Sequence, residues 1–136
     1  MADAGYSGTP LPRKLGIREG DRVALLHAPE GFDAVLGELP PGVEVLREAD
    51  GALDVVVAFL TRRPAVGPLA RRLWPHIEPA GSLWIAWPKR RSGVPTDITE
   101  DVLREDLLPT GLVDTKVCAI DATWSGLRFV IRRELR

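Results

Sequence analysis

The sequence predicts one α/β domain built on a mostly parallel, open β-sheet, with helices on both faces and an antiparallel hairpin at the carboxyl end. Two runs, 53–60 and 82–87, are short and almost wholly apolar, as is typical of strands covered on both faces. Helical patterns separate these runs, and the last two apolar runs are joined by a short connection. At 136 residues the chain fits a single domain.

The elements follow one another in an order typical of a Rossmann-like or methyltransferase-like sheet. The helix ending at Ile77, which starts at Pro64 or Pro68, is predicted from an apolar stripe at helical spacing, and Pro75 should kink or shorten its last turn. Asp97 and Glu100 form a capping box that should start the next helix. The predicted elements are strand 22–26, helix 32–39, strand 43–46, strand 53–60, helix 64–77, strand 82–87, helix 98–108 and strands 112–120 and 127–133.

The connection between the second and third predicted strands is too short for a helical crossover. Only residues 47–52 lie between them, whereas parallel strands are normally joined by a dozen residues or more. Either the second strand is a fragment at the sheet edge, or the connection is a bare loop.

The first 20 residues are rich in Gly and Pro and predict an arm packed on the domain of residues 21–136. A short helix is expected around residues 11–15, with Tyr6 and Leu11 as anchors.

Composition and charge exclude several classes of function. There are 18 basic and 19 acidic residues, giving a net charge of -1, which argues against nucleic acid and anionic membrane as partners. Cys118 is the only cysteine, so neither an internal disulfide nor a zinc cluster is predicted, and the two histidines lie too far apart in sequence to indicate a metal site. Without a signal peptide pattern or a long apolar run, we expect a bacterial cytoplasmic protein.

Two resemblances emerge from particular segments. Residues 15–23, 53–57 and 77–83, with the terminal hairpin, resemble an abridged class I methyltransferase fold. Segments 5–11 (GYSGTPL), 88–97 (PKRRSGVPTD) and 123–127 (TWSGL) resemble an uncharacterised family of short bacterial proteins, a domain of unknown function. The second resemblance implies no activity, substrate or catalytic residue.

The methyltransferase resemblance implies a site for S-adenosylmethionine. In that fold, a glycine-rich loop after the first strand passes beneath the ligand, and an acid after the second strand holds the ribose hydroxyls. The loop here, residues 27–31, has a single glycine, and Pro29 lacks an N–H group. Glu48 or Asp50 could supply the acid. Because fold alone does not license function, we expect no cofactor and no methyl transfer; the methyltransferase remains a third hypothesis.

The leading hypothesis is a small anionic ligand bound where the carboxyl ends of parallel strands meet. Five cations in two neighbouring loops, with free amides at the helix start beside Asp97, suit a phosphate or a carboxylate. The alternative interpretation of these loops is a solvated basic surface. The candidate ligand-binding residues are His27, Glu30, Asp50, Thr61, Arg62, Arg63, Trp87, Lys89, Arg90, Arg91, Ser92 and Thr96.

The remaining candidates concern chemistry and assembly. His27, at a strand end, is the general acid–base candidate, whereas His76 is expected to contact carbonyls at a helix end. Cys118 should be a buried, inert thiol. Trp84 and Trp87 should face opposite sides of one strand, Trp84 in the core and Trp87 on a pocket wall.

Trp124 falls within the predicted hairpin connection, 121–126. Either it clamps back on the sheet, which we favour, or it anchors a partner protein or a second copy of the chain. The second hypothesis for the whole chain is therefore an interaction module or a homo-oligomer.

Overall fold

The sheet has six strands in the order β2-β1-β3-β4-β6-β5. A computed structural model describes residues 8–136, so Tyr6 lies outside the described residues. The strands are β1 (Arg22–Leu26), β2 (Glu44–Leu46), β3 (Val55–Phe59), β4 (Ser82–Pro88), β5 (Leu112–Ala119) and β6 (Trp124–Ile131). The α-helices are α1 (Leu11–Leu15), α2 (Phe32–Leu36), α3 (Val66–Ile77) and α4 (Glu100–Leu107).

The strand directions confirm the predicted fold class. β2, β1, β3 and β4 pair in parallel, and β6 runs antiparallel to both β4 and β5. Because β5 therefore points the same way as β4, the turn between β5 and β6 lies at the carboxyl end of the parallel strands. No helix among the described residues is long and apolar enough to cross a membrane.

A bare loop joins β2 to β3, and β2 is a three-residue strand at the sheet edge. Arg22 holds this loop: its Nη1 donates to the carbonyl oxygens of Asp50 at 2.8 Å and of Ala52 at 2.7 Å. Both structural answers to the short connection are therefore present at once, and a side chain of β1 fixes the loop by two hydrogen bonds.

Apolar cores lie on both faces of the sheet. One core packs α3 and α4 against the sheet and contains Trp87; the other packs α1 and α2 against the opposite face and contains Trp84. The indole Nε1 of Trp84 donates to the Leu15 carbonyl at 3.0 Å, which ties α1 to the fully buried ring. Leu11, 1% exposed, anchors the same helix.

The predicted cap of the fourth helix is wrong. α4 begins after Thr99, whose side chain accepts a hydrogen bond from Val102 N, and Asp97 lies outside the helix. Asp97 instead accepts the backbone N–H of Arg63 at 2.7 Å. Thr99 satisfies a helix-start amide as Asp97 was expected to do, so the carboxylate is free to join two loops.

Other element ends differ from the predictions by a few residues. α2 ends at Leu36 instead of 39, and α3 begins at Val66 and continues through Pro75 to Ile77. β6 begins at Trp124 instead of 127, so this residue belongs to the strand. The Asp121 carboxylate shortens the hairpin connection, because its Oδ1 accepts from the amides of Thr123 and Trp124, each at 2.8 Å.

Candidate functional site

The segments that follow β3 and β4 meet at one edge of the sheet, here named the carboxyl rim (residues 27–31, 47–49, 60–63, 88–97 and 120–123). The Arg63 amide donates to Asp97 Oδ1, and the Thr96 hydroxyl donates to the Thr61 carbonyl, each at 2.7 Å. The amide of Lys89 donates to the Thr123 carbonyl at 2.7 Å, which adds the β5–β6 turn to the same edge. As expected from the parallel pairing, the rim brings these loops together.

Arg63 is occupied by carboxylates of α4. Its Nε and Nη2 bond to Asp106 at 3.1 and 2.9 Å, and Nη2 also reaches Glu105 at 3.1 Å. The hydrogen bond to Asp106 is the main cause of the raised pKa of the Arg63 guanidinium. Arg63 therefore holds the loop after β3 against α4, a structural role that competes with the predicted anion contact.

The predicted hydroxyl ligands form hydrogen bonds within the rim itself. Thr96 Oγ1 accepts from Ile98 N at 3.0 Å in addition to its bond with Thr61. Ser92 donates to the Lys89 carbonyl at 2.7 Å and accepts from Val94 N at 3.2 Å. These side chains set the path of the loop after β4, and Thr61 contributes its carbonyl to that path.

Four rim cations have no carboxylate partner within residues 8–136: Arg62, Lys89, Arg90 and Arg91. Of the four, only Arg90 lines the cavity of about 460 Å³ beside Trp87, where Glu100 also lies. The positive charge predicted for these loops is present, but three of the four cations lie outside that cavity.

A second cavity, here named the β1–β2 cavity, lies beside the ends of these two strands. It measures about 440 Å³, within the usual range for small-molecule sites. Its lining combines one carboxylate, two arginines, two imidazoles and two apolar side chains: Glu48, Arg47, Arg72, His27, His76, Leu26 and Ala49.

His27 gives the loop after β1 a conformation that glycine normally supplies. Its φ is 58°, the only positive φ at a non-glycine residue among residues 8–136. Gly31, four residues later, also has a positive φ, of 83°. A histidine in this region carries a conformational cost, so counting glycines in residues 27–31 underestimates how far this loop resembles a glycine-rich one.

Apart from His27 and from Glu48, which the sequence offered as an acid after the second strand, the polar residues of the β1–β2 cavity were not foreseen. Arg47 directly follows β2 and pairs with Asp33 of α2 at 2.9 Å. His76 contacts the Gly51 carbonyl of the β2–β3 loop at 2.8 Å, instead of a carbonyl of its own helix. Glu30 and Asp50, both predicted ligands, do not line this cavity. Arg72 and His76 come from α3, so only the packing of that helix against the loop reveals them.

Trp124 packs back onto the sheet. Its ring meets Phe59 edge-on, with centroids 5.1 Å apart, and Phe59 meets Phe32 in the same way at 4.8 Å. The side chain joins the core on the α1 and α2 face. This is the arrangement expected of the clamp, and it leaves only part of the indole exposed.

Several solved structures have a similar fold, among them a methylase and a protein bound to S-adenosyl-L-methionine. TrmN from Thermus thermophilus matches at a TM-score of 0.58 and 14% identity, over 89% of this chain and 47% of that one. Fibrillarin from Aeropyrum pernix, in complex with S-adenosyl-L-methionine, matches at 0.57 and 17% over 93% of this chain and 70% of that one. The ribosomal protein L11 methylase of Lactobacillus delbrueckii matches at 0.58 and 11% over 91% and 75%.

These likenesses show a Rossmann-like fold of the kind found in methyltransferases. The chain spans about half the length of TrmN, and at such low identity the likeness shows the fold alone. No family model and no curated protein matches the chain. Within the described residues, no three His, Cys, Asp or Glu side chains are grouped as they would be to hold a metal ion.

Proposed function

We propose that the chain binds S-adenosylmethionine, or a related adenosyl compound, in the β1–β2 cavity, and that it acts as a small methyltransferase-type domain. One observation carries this proposal: the two parts on which the resemblance bases cofactor binding line the same cavity. These parts are the loop after β1, at His27, and an acid after β2, Glu48. The cofactor would supply an electrophilic methyl group to an acceptor.

The chemistry of the lining fits such a ligand. The Glu48 carboxylate is exposed, has no ion-pair partner within residues 8–136, and can accept hydrogen bonds from ribose hydroxyls. Leu26 and Ala49 offer apolar contact for a base, and the guanidinium of Arg72 offers a charge for a ligand carboxylate.

Two features of the cavity bear on the affinity for such a ligand. The Arg47–Asp33 pair lies at this cavity, but its side chains are 55% and 71% exposed, and exposed pairs contribute only about 0–1 kcal/mol, so a ligand can displace the pair at small cost. Pro29 removes one amide from the loop. We therefore expect weak, micromolar to millimolar affinity.

Calorimetric titration with S-adenosylmethionine and S-adenosylhomocysteine tests the proposal. Glu48→Gln should weaken binding about tenfold, a loss of roughly 1.4 kcal/mol. The matched control is Asp50→Asn, an exposed acid two residues further along the same loop and outside the cavity. No heat and no rise in melting temperature at millimolar ligand, or equal losses in both variants, would refute the assignment.

A second candidate function, binding of a small anion on the carboxyl rim, is favoured by the four cations without carboxylate partners. Two of the segments that carry the resemblance to the uncharacterised bacterial family, 88–97 and 123–127, also meet here through the Lys89–Thr123 bond. Replacing Lys89, Arg90 and Arg91 together by Ala should abolish any stabilisation by phosphate or citrate. That stabilisation should also fall as ionic strength rises; stabilisation that persists in the triple variant contradicts this candidate.

A further inference from the structure

A long groove, here named the α1–α2 groove, runs between the two short helices on the sheet face that contains Trp84. Its volume is about 1110 Å³, the largest of the cavities described here. Its apolar lining residues are Leu11, Ile17, Val35, Leu36 and Leu39, of which Val35 and Leu39 are the partly exposed ones. Three cations, Arg13, Arg18 and Lys116, line it as well, against one carboxylate, Glu38.

The positive charge continues from the groove onto β6. Lys116 of β5 stands directly opposite Arg128 in the antiparallel register, where like charges destabilise a strand pair. Burial lowers the pKa of the Arg128 guanidinium, and the nearby charges of Arg18 and Arg136 lower it further. Arg18, Lys116, Arg128 and Arg136 are here named the basic face.

None of these four cations pairs with a carboxylate within residues 8–136. Elsewhere in the structure, single arginines form ion pairs with several carboxylates: Arg63 contacts two, and Arg104 contacts three. With 18 basic and 19 acidic residues in all, the shortage of acids here is local. The four positive charges of the basic face therefore repel one another, and an acidic group from outside the chain would reduce this repulsion.

We propose that the α1–α2 groove docks an acidic, amphipathic segment of a partner protein. Apolar side chains of that segment would enter between α1 and α2, while its carboxylates would meet Arg18, Lys116 and Arg128. The apolar lining accounts for the amphipathic character, and the unpaired cations account for the acidic character.

Two other occupants fit less well. A second copy of this chain could not present the acidic cluster of α4, because its carboxylates (Glu100, Asp101, Glu105 and Asp106) are already engaged by Arg104 and Arg63. Nucleic acid would need aromatic platforms for its bases, and the exposed large apolar residues among those described are Val94, Val117 and Leu135. The overall charge of -1 also fails to attract a polyanion from a distance.

Fluorescence anisotropy with a labelled peptide of Glu and Leu, with leucines at helical spacing, tests the inference. Three further probes are a peptide with Ser for every Leu, one with Lys for every Glu, and a labelled single-stranded oligonucleotide. The Arg18→Glu/Lys116→Glu double variant reverses the charge of the groove. The double variant Arg90→Glu/Arg91→Glu makes the same charge change at the carboxyl rim and lines no part of the groove.

The acidic amphipathic peptide should bind the unmodified chain and the rim variant equally, and the groove variant at least about tenfold more weakly. The Ser-substituted and Lys-substituted peptides should each bind about tenfold more weakly to the unmodified chain. Failure of the first peptide to bind, equal binding by the groove variant, or tighter binding of the oligonucleotide would each overturn the proposal. Circular dichroism establishes that both double variants are folded.

Discussion

The backbone N–H of Arg63 and the carboxylate of Asp97 lie 2.7 Å apart, and this bond joins the segment after β3 to the segment after β4. The two residues are 34 positions apart in sequence. A hydrogen bond to a charged carboxylate is stronger than one between neutral groups. The bond is therefore one of the contacts that hold the carboxyl rim in a single arrangement.

Removing this carboxylate should loosen the rim. Asp97→Ala should lower the free energy of unfolding by about 1–2 kcal/mol, because the Arg63 amide loses a charged partner. Urea denaturation measures the change. Asp101→Ala is the control: that side chain is 87% exposed, and its loss should change stability by less than about 0.5 kcal/mol. Equal effects of the two substitutions would show that Asp97 is an ordinary surface residue.

His27→Gly should stabilise the chain. Glycine accepts a φ of 58° without the cost of about 1–2 kcal/mol that other residues carry there. The greater conformational freedom of glycine in the unfolded chain offsets roughly 0.5–1 kcal/mol of this gain. We expect a net gain of up to about 1.5 kcal/mol in thermal or urea unfolding. Glu30→Gly, in the same loop but without a positive φ, should destabilise instead; a loss in both variants would contradict the conformational assignment.

Gly81 should not tolerate a side chain. A Cβ there would lie 2.5 Å from the Leu53 carbonyl oxygen and 2.9 Å from that of Ile77, and both are backbone atoms that cannot move aside cheaply. Gly81→Ala should cost about 3 kcal/mol or more through overpacking. At Gly67, in α3, a Cβ meets only the end of the Arg71 side chain, at 3.4 Å, so Gly67→Ala should stabilise the helix by up to about 1 kcal/mol.

Trp124→Ala should destabilise the fold without changing its assembly. The substitution removes the edge-on contact with Phe59 and part of the core on that face, so we expect a loss of about 2–3 kcal/mol. Light scattering measures the mass in parallel. A change of mass with unchanged stability would instead assign this residue to an interface.

Cys118 should react slowly while the chain is folded. Burial raises the pKa of its thiol, and the opposing charges of Lys14 and Lys116 are the smaller effects. The pH midpoint for thiolate formation should therefore be higher in the native chain than in the denatured chain. Thiolate absorbance, or the rate of reaction with Ellman's reagent, measures this midpoint.

The same shift has a consequence for stability. The native thiol keeps its proton at a pH where the unfolded thiol has lost it, so its contribution is fully present below the unfolded pKa. The contribution then declines as the pH rises through the native pKa. Cys118→Ala should remove this part of the loss of stability at alkaline pH. A midpoint of thiolate formation that is no higher in the native chain than in the denatured chain would contradict the prediction.

Most of the fold was accessible from local sequence patterns. The apolar runs at 53–60 and 82–87 identify buried strands, and the stripe from Val66 to Ile77 identifies α3, because burial on one or both faces imposes a period on the chain. Trp84 and Trp87 face opposite sides of β4 for the same reason. The short connection after β2 left an edge strand and a bare loop open as alternatives, and the structure has both.

The site depended on contacts that no local pattern records. The sequence pattern predicted Asp97 as the helix cap, but in the folded chain Asp97 accepts the amide of Arg63, 34 residues away, and Thr99 caps the helix. Arg72 and His76 enter the β1–β2 cavity only because α3 packs beside the β2–β3 loop. His27 adopts a glycine-like φ because the surrounding fold compensates its cost.

The sequence by itself thus determined the strands, their faces and the presence of a carboxyl rim, since these follow from periodic burial along a short stretch of chain. Tertiary structure alone decided which charges are paired. Arg63 is engaged by α4, while Arg128 forms no ion pair among residues 8–136. Ion pairing depends on distances between residues far apart in the chain, and such distances exist only once the sheet has assembled and the helices have packed against it.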